Sequence, residues 1–240
     1  MNTPLKDFAL LLPGGGSSTR FGGGSKLLHP LNGLPVFLHA PRRLAGLFPA
    51  GHILMAIPEE STAVFESASR EYLPDVKIRF IPGGKSRMES VRNLVQYAEK
   101  LTACDFVAVH DAARPLILPE TVLACAAECR KSGCALICHK ITDTLKESLD
   151  GEKISRTVPR EFFWAAETPQ MFRLENFKTA LEKAILSGDT FTDDVQVMER
   201  FSEIPVSIVQ NTLPNFKITY ASDIVLCEAA LKLQENSFRQ

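Results

Sequence analysis

Between Asp7 and Glu59 the chain has no carboxylate side chain. In that gap lies Leu10 to Lys26, LLLPGGGSSTRFGGGSK, where an apolar run breaks into a glycine-rich loop carrying Arg20 and Lys26. The missing acid excludes a dinucleotide fingerprint, which needs one about 20 residues past its glycines to hold the ribose. The lack of a Ser or Thr after Lys26 excludes a P-loop, because Leu27 stands where the magnesium-binding hydroxyl belongs. No apolar run approaches the roughly 18 residues of a membrane span. The start, MNTPLKDFALLL, is too short in its apolar part for a secretory leader, so a cytoplasmic location is expected. Lys and Arg number 27 against 28 Asp and Glu, and the formal net charge of -1 lacks the basic excess of a nucleic-acid binder. Six cysteines are present without CxxC spacing and with only His139 near them, which points to buried reduced thiols rather than a zinc site.

What is present fits a phosphate ligand. Gly14, Gly15 and Gly16 follow Pro13, and Gly22, Gly23 and Gly24 precede Ser25 and Lys26. Without Cβ atoms these glycines let backbone N–H groups close on a ligand. Arg20 can fork onto phosphate oxygens and Lys26 adds a compact charge. A nucleotide or sugar-phosphate loop outside the two familiar kinds is expected, with a plain surface loop as the alternative.

At 240 residues, 45% hydrophobic, the chain can bury a full core as one large α/β domain or two small ones, and a single domain over 1–240 is expected. Strands are expected at Phe8 to Leu12, Ile53 to Ile57, Lys77 to Ile81, Phe106 to His110 and 135–141. Helices are expected after Pro35, over Glu59 to Tyr72, after Ser86 and over 119–131. This alternation implies an α/β fold: a doubly wound, mostly parallel sheet with right-handed crossovers. Ser86 and Glu89 have capping-box spacing, with Arg87 and Ser90 in the first turn beyond Gly84. HDAARP puts Asp111, Ala112, Ala113 and Arg114 at a strand's carboxyl end, where open α/β sheets bind ligands, although an Asp-Arg pair ordering a turn explains the same residues. From Thr142 to Phe163, alternation around Asp150-Gly151 reads as a projecting β-hairpin arm that packs on a second subunit, with a disordered loop as the alternative. Trp164 to Glu167 and Thr168-Pro169-Gln170 follow, then a helix from about Asn176 to Ser187, a polar turn over Thr190 to Asp194, a strand over Val206 to Gln210 and a last helix from Ser222. Strand alternation places Lys217 opposite Phe216 and Ile218, either as a solvated edge or as a ligand contact.

The glycine loop, GGKSRMES, HDAARP, TDT, TVPR, TPQ and FKIT, in that order and spacing, resemble the 2-C-methyl-D-erythritol 4-phosphate cytidylyltransferases over nearly the whole chain. HDAARP followed by TPQ also fits their near relatives, the ribitol 5-phosphate cytidylyltransferases. The resemblance implies a Rossmann-like nucleotidyltransferase fold and transfer of CMP from CTP to a polyol phosphate with loss of pyrophosphate. It implies magnesium carried mainly on the triphosphate, with Asp111 the candidate protein ligand. It also implies a homodimer through the arm. Arg20, Lys26 and Lys217 would carry the catalytic charge. Gly14, Gly15, Gly16, Gly84, Arg87, Ser90 and Ala112 would hold the nucleotide. Asp111, Arg114 and Thr168 would meet the acceptor, and Thr144 and Arg160 would reach it in the partner's site. The chain departs from the family pattern at Ser18, Ser25, Leu27 and Pro214. A non-catalytic nucleotide-binding relative is the other class of reading.

Overall fold

The structure, a computed structural model, describes residues 3–15 and 19–237. Its chain order is β1 (Phe8–Pro13), a small hairpin of β2 (Pro30–Leu31) and β3 (Leu34–Pro35), α1 (Val36–Leu44), β4 (Ile53–Ile57), α2 (Thr62–Tyr72), β5 (Ile78–Pro82), α3 (Arg87–Ala98), β6 (Phe106–Val109), α4 (Pro119–Ser132) and β7 (Cys134–Lys140). The arm strands β8 (Leu145–Glu147) and β9 (Arg156–Val158) come next. After them run β10 (Trp164–Arg173), α5 (Leu174–Ser187), α6 (Asp194–Phe201), β11 (Ser207–Gln210) and α7 (Ser222–Ser237).

Seven strands form one sheet in the order β11-β7-β10-β6-β1-β4-β5. All neighbours are parallel except β10, which runs antiparallel to both β6 and β7. β1 is buried on both faces, which is why FALLLP is a continuous apolar run rather than an alternating one. Phe8, Leu10 and Leu12 join the side chains of α1, α4 and α7 on one face. Ala9 and Leu11 join those of α3, α5 and α6 on the other. Helices on both faces make the sheet doubly wound, and β1, paired with β4 on one side and β6 on the other, lies where the strand order reverses.

Three local readings of the sequence need correction. The stretch 164–173 is one long strand. Pro169 disguises it, and the register of β10 on β7 shifts between Ala166 and Gln170, so the missing proline N–H falls within the irregularity. The polar turn near Asp194 is the start of α6, capped by Asp193, whose side chain accepts from the Gln196 N–H. Finally, residues 211–219 are not a strand, and the alternation assumed around Lys217 fails: Ile218 is fully buried while Phe216 is partly exposed.

All six cysteines are free and five are buried. Burial pushes the thiols of Cys104, Cys134 and Cys227 up to about 12 and that of Cys138 up to about 11, so none is poised to react.

Candidate active site

A cavity of about 300 Å³ opens at the carboxyl ends of β1 and β6. β1 delivers Pro13, Gly14 and Gly15, and the residues after β6 deliver Asp111, Ala112 and Ala113. Gly14 is required there: a Cβ would stand 2.9 Å from the carbonyl oxygen of Ala56, which its N–H already approaches to 2.7 Å. Gly16 and Ser18 lie outside the described residues. Gly22, Gly23 and Gly24 have φ of 93°, 114° and 70°, so the second half of the loop takes a path that other residues resist. It leads to Lys26 and Leu27 on the cavity wall.

A third wall is the start of α3, with Lys85, Ser86, Arg87 and Ser90. The Ser86 side chain caps the helix by accepting from the Glu89 N–H at 3.1 Å. The Glu89 carboxylate accepts from the Lys85 N–H at 2.6 Å, one residue earlier than the usual reciprocal bond. Ser90 Oγ accepts from the Gly84 N–H at 3.0 Å, and a Cβ on Gly84 would stand 2.2 Å from that of Glu89. Gly84 is therefore needed to let the turn fold back on the helix, and it shapes the wall without lining the cavity.

Asp111 gathers the charge. Its carboxylate lies 3.0 Å from Lys217 Nζ, 3.4 Å from Arg87 Nη2 and 3.5 Å from Arg114 Nε. Burial pushes its pKa up, but Lys217, Arg87 and Arg114 together outweigh burial and hold it well below the usual carboxylate range. Arg87 is also claimed by Asp194, at 2.9 and 2.7 Å through both nitrogens. Its guanidinium is thus committed to two carboxylates inside that wall. Asp194 is held in turn by Gln170, whose Oε1 accepts from the N–H groups of Asp194 and Val195 at 3.0 Å.

Lys26 Nζ donates to the carbonyl oxygen of Ile218 at 3.1 Å, which ties the glycine loop to the segment carrying Lys217. Its pKa is lowered, first by burial and then by the neighbouring charge of Lys217. Arg20 is exposed on a single 3₁₀ turn, Thr19–Phe21, and its charge is also felt at Lys26.

His110, beside the acid, is a structural residue. It is fully buried, which pushes its pKa down to about 4 and keeps it neutral. Its Nδ1 faces Thr168 Oγ1 at 3.0 Å and its Nε2 faces the carbonyl oxygen of Arg114 at 3.1 Å. Thr168 Oγ1 accepts from the Asp111 N–H at 3.0 Å. The threonine hydrogen is then left for Nδ1, and Nε2 carries the imidazole proton to Arg114. Thr168, expected at the acceptor, is instead buried behind Asp111 and fixes its backbone.

The structure brings together at one cavity Gly14, Gly15, Lys26, Arg87, Ser90, Asp111, Ala112 and Lys217. Arg114 lines an adjoining cavity of about 680 Å³ that shares Lys217. Thr144 and Arg160 line neither; they stand exposed on the arm, where the Arg160 guanidinium donates to the Thr142 carbonyl oxygen. Sequence reasoning left Lys85, Gln170, Asp193 and Asp194 unassigned. The Asp193–Gln196 spacing is an N-cap signal that would have revealed α6 and, with it, Asp194 beside Arg87.

Residues 8–233 match the family model described as IspD, 2-C-methyl-D-erythritol 4-phosphate cytidylyltransferase. Among curated relatives, a protein of that name from Acidobacterium capsulatum is 34% identical over 239 residues, covering 96% of this chain and 98% of its own length. Another, from Nitrosomonas eutropha, is 35% identical over 232 residues, covering 94% and 97%. The crystal structure of the enzyme of the same name from Thermus thermophilus superposes with a TM-score of 0.75 at 28% identity, covering 92% of this chain and 97% of that one.

Proposed function

This chain belongs to the 2-C-methyl-D-erythritol 4-phosphate cytidylyltransferase family, and from that membership we propose how its own residues carry the reaction. It transfers CMP from CTP to 2-C-methyl-D-erythritol 4-phosphate and releases pyrophosphate, a step of the non-mevalonate route to isoprenoid precursors. An oxygen of the acceptor's phosphate attacks the α-phosphorus of CTP, and the bond to the β-phosphate breaks. That monoester has a second pKa of about 6, so it arrives ionised and needs no protein base. The cavity offers none: His110 is neutral and walled in, and the cations around Asp111 keep it ionised and weakly basic. What remains to be overcome is repulsion between a dianion and a triphosphate, so positioning and charge neutralisation do the work.

In this reading Arg20 and Lys26 hold the β- and γ-phosphates from the glycine loop. Gly84 and Ser90 shape the wall for the cytidine, with Arg87 locked in that wall. Lys217 and Arg114, steered by Asp111, take the acceptor phosphate and the charge developing at the α-phosphorus. The observation that carries this is one buried carboxylate placing Lys217 at 3.0 Å on the rim of the cavity that Lys26 also lines.

Magnesium enters, we propose, on the triphosphate. Among the described residues no group of three His, Cys, Asp or Glu comes together, which suits a metal carried mainly by the phosphates with Asp111 as the candidate side-chain ligand. The arm is proposed to join two copies, because it exposes Leu149, Ile154, Phe162 and Phe163 on a small hairpin with no core beneath it. That pairing would bring Thr144 and Arg160 to the partner's acceptor site. A cytoplasmic location suits six free thiols, and among the described residues no helix is long and apolar enough to cross a membrane.

Pyrophosphate release from CTP, with kcat compared between the wild type and the variants Lys26→Ala and Lys217→Ala, tests the assignment. Each variant is expected to lose roughly 100-fold or more, as when a preorganised donor to a transition-state oxyanion is removed. Near-wild-type turnover in both would overturn it. A chain that binds CTP but releases no pyrophosphate with any acceptor would be the non-catalytic relative instead.

A further inference from the structure

Lys217 sits in residues 211–219, which form neither helix nor strand. A lysine on such a segment holds a defined position only if something offsets the entropy of ordering the backbone beneath it. On the far side of Lys217 the segment is anchored well: the Ile218 N–H donates to the carbonyl oxygen of Ala113 at 2.9 Å, and Asp223 accepts from the N–H groups of Thr219 and Tyr220. On the near side the Asn211 N–H donates to the carbonyl oxygen of Cys138 at 2.7 Å, and the side chains of the segment converge on one carboxylate in the wall of the adjoining cavity. Glu167 of β10 is 3% exposed. Its Oε2 accepts from the side-chain amides of both Asn211 and Asn215 at 2.9 Å, and its Oε1 accepts from His139 Nδ1 at 2.7 Å.

We infer that Glu167 is a positioning residue for Lys217, acting through the loop that carries it. The inference rests on the catalytic reading of Lys217 given above. The side-chain NH₂ groups of both asparagines are fully used. Asn211 Nδ2 gives its other hydrogen to the carbonyl oxygen of Leu213 at 2.8 Å, and Asn215 Nδ2 gives its other to that of Thr168 at 2.9 Å. Each amide therefore has one hydrogen for the loop or β10 backbone and one for Glu167. The carbonyl oxygen of Asn215 accepts from Arg114 Nη1 at 2.6 Å, so the same clamp sets the height of a second cation on Asp111. Loss of the Oε2 acceptor would leave two buried N–H donors unanswered, a penalty the loop can relieve only by moving. Lys217 would move with it, off Asp111 and off the reacting phosphate.

The chemistry of the clamp separates two substitutions of nearly equal size. Glu167→Gln keeps an oxygen toward Asn211 and Asn215 and turns its NH₂ toward His139, where a change of tautomer supplies an acceptor at Nδ1. Glu167→Leu fills the space and offers no acceptor. With CTP and the methylerythritol phosphate acceptor, Glu167→Leu is expected to lower kcat about tenfold while leaving KM for CTP within about twofold, whereas Glu167→Gln stays close to wild type. In the Lys217→Ala background, Glu167→Leu is expected to cause a clearly smaller fold-loss than in the wild type, because only the route through Arg114 remains. Should Glu167→Leu fail to fold, Asn215→Ala carries the same comparison. Wild-type kcat in Glu167→Leu, an equal loss in Glu167→Gln, or the same fold-loss with and without Lys217 would each overturn the positioning role. Full turnover by Lys217→Ala alone would instead overturn the reading of Lys217 and this inference with it.

Discussion

Asp111 shows how much one carboxylate can organise. Three cations lie within 3.5 Å of it and hold it ionised, so that it is a fixed negative charge beside Lys217, Arg87 and Arg114. Lys26 has the opposite situation: it is partly buried, has Lys217 as a neighbour, and its ammonium donates to the carbonyl oxygen of Ile218. Its pKa is therefore lowered from the ordinary 10.5 in the free enzyme. If Lys26 meets the triphosphate as proposed, its charged form is the active one, and activity is lost as pH rises through that lowered value. The alkaline limb of kcat/KM should accordingly fall earlier than an ordinary lysine would give. In Lys26→Arg, whose guanidinium stays charged above about pH 12, that limb should move upward. A limb at the same pH in the arginine variant would show that another group controls it.

At the scale of elements, two helices enter the site by the same device. Ser86 caps α3 and Asp193 caps α6, while Glu89 and Gln196 each reach back to the N–H one residue before the cap. The first was legible because SxxE is a familiar signal. The second was passed over because α6 has only eight residues behind a polar stretch. β10 was hidden for a different reason: its proline argues against a strand, and only a bulge between two neighbouring strands accommodates it. The arm was legible from Asp150-Gly151, and it forms: Asp150 accepts from the N–H groups of Glu152 and Lys153, while Leu145 pairs with Val158. If the arm serves a second copy, Arg160→Ala subunits mixed with Lys26→Ala subunits should regain partial activity, since each mixed pair holds one intact site. Activity no higher than the sum of the separate variants would place Arg160 in its own chain's chemistry.

For the molecule as a whole, the order of strands decides where everything else can be. β1 lies between β4 and β6, and its carboxyl end is the crevice that the doubly wound fold leaves open. The alternation of apolar runs with helical stretches disclosed that crevice, and the glycine loop and HDAARP marked its two sides. What the sequence could not disclose was the support behind them. Glu167, Gln170 and Asp194 are separated by tens of residues from the groups they hold, and they meet them only because an antiparallel strand is threaded into a parallel sheet. Lys217 was found by resemblance, but its setting was not, since an irregular segment fixed by side-chain amides has no periodicity to read.

The reaction makes a new phosphoanhydride bond between CMP and 2-C-methyl-D-erythritol 4-phosphate. Phosphorus NMR of the protein incubated with CTP, magnesium and that acceptor tests it directly, with ribitol 5-phosphate in a parallel sample. The expected result is loss of the triphosphate signals, appearance of pyrophosphate and a pair of coupled diphosphate-diester resonances with the first acceptor, at a rate at least about tenfold above that with the second. Unchanged CTP with the methylerythritol phosphate, or faster product formation from ribitol 5-phosphate, would contradict it.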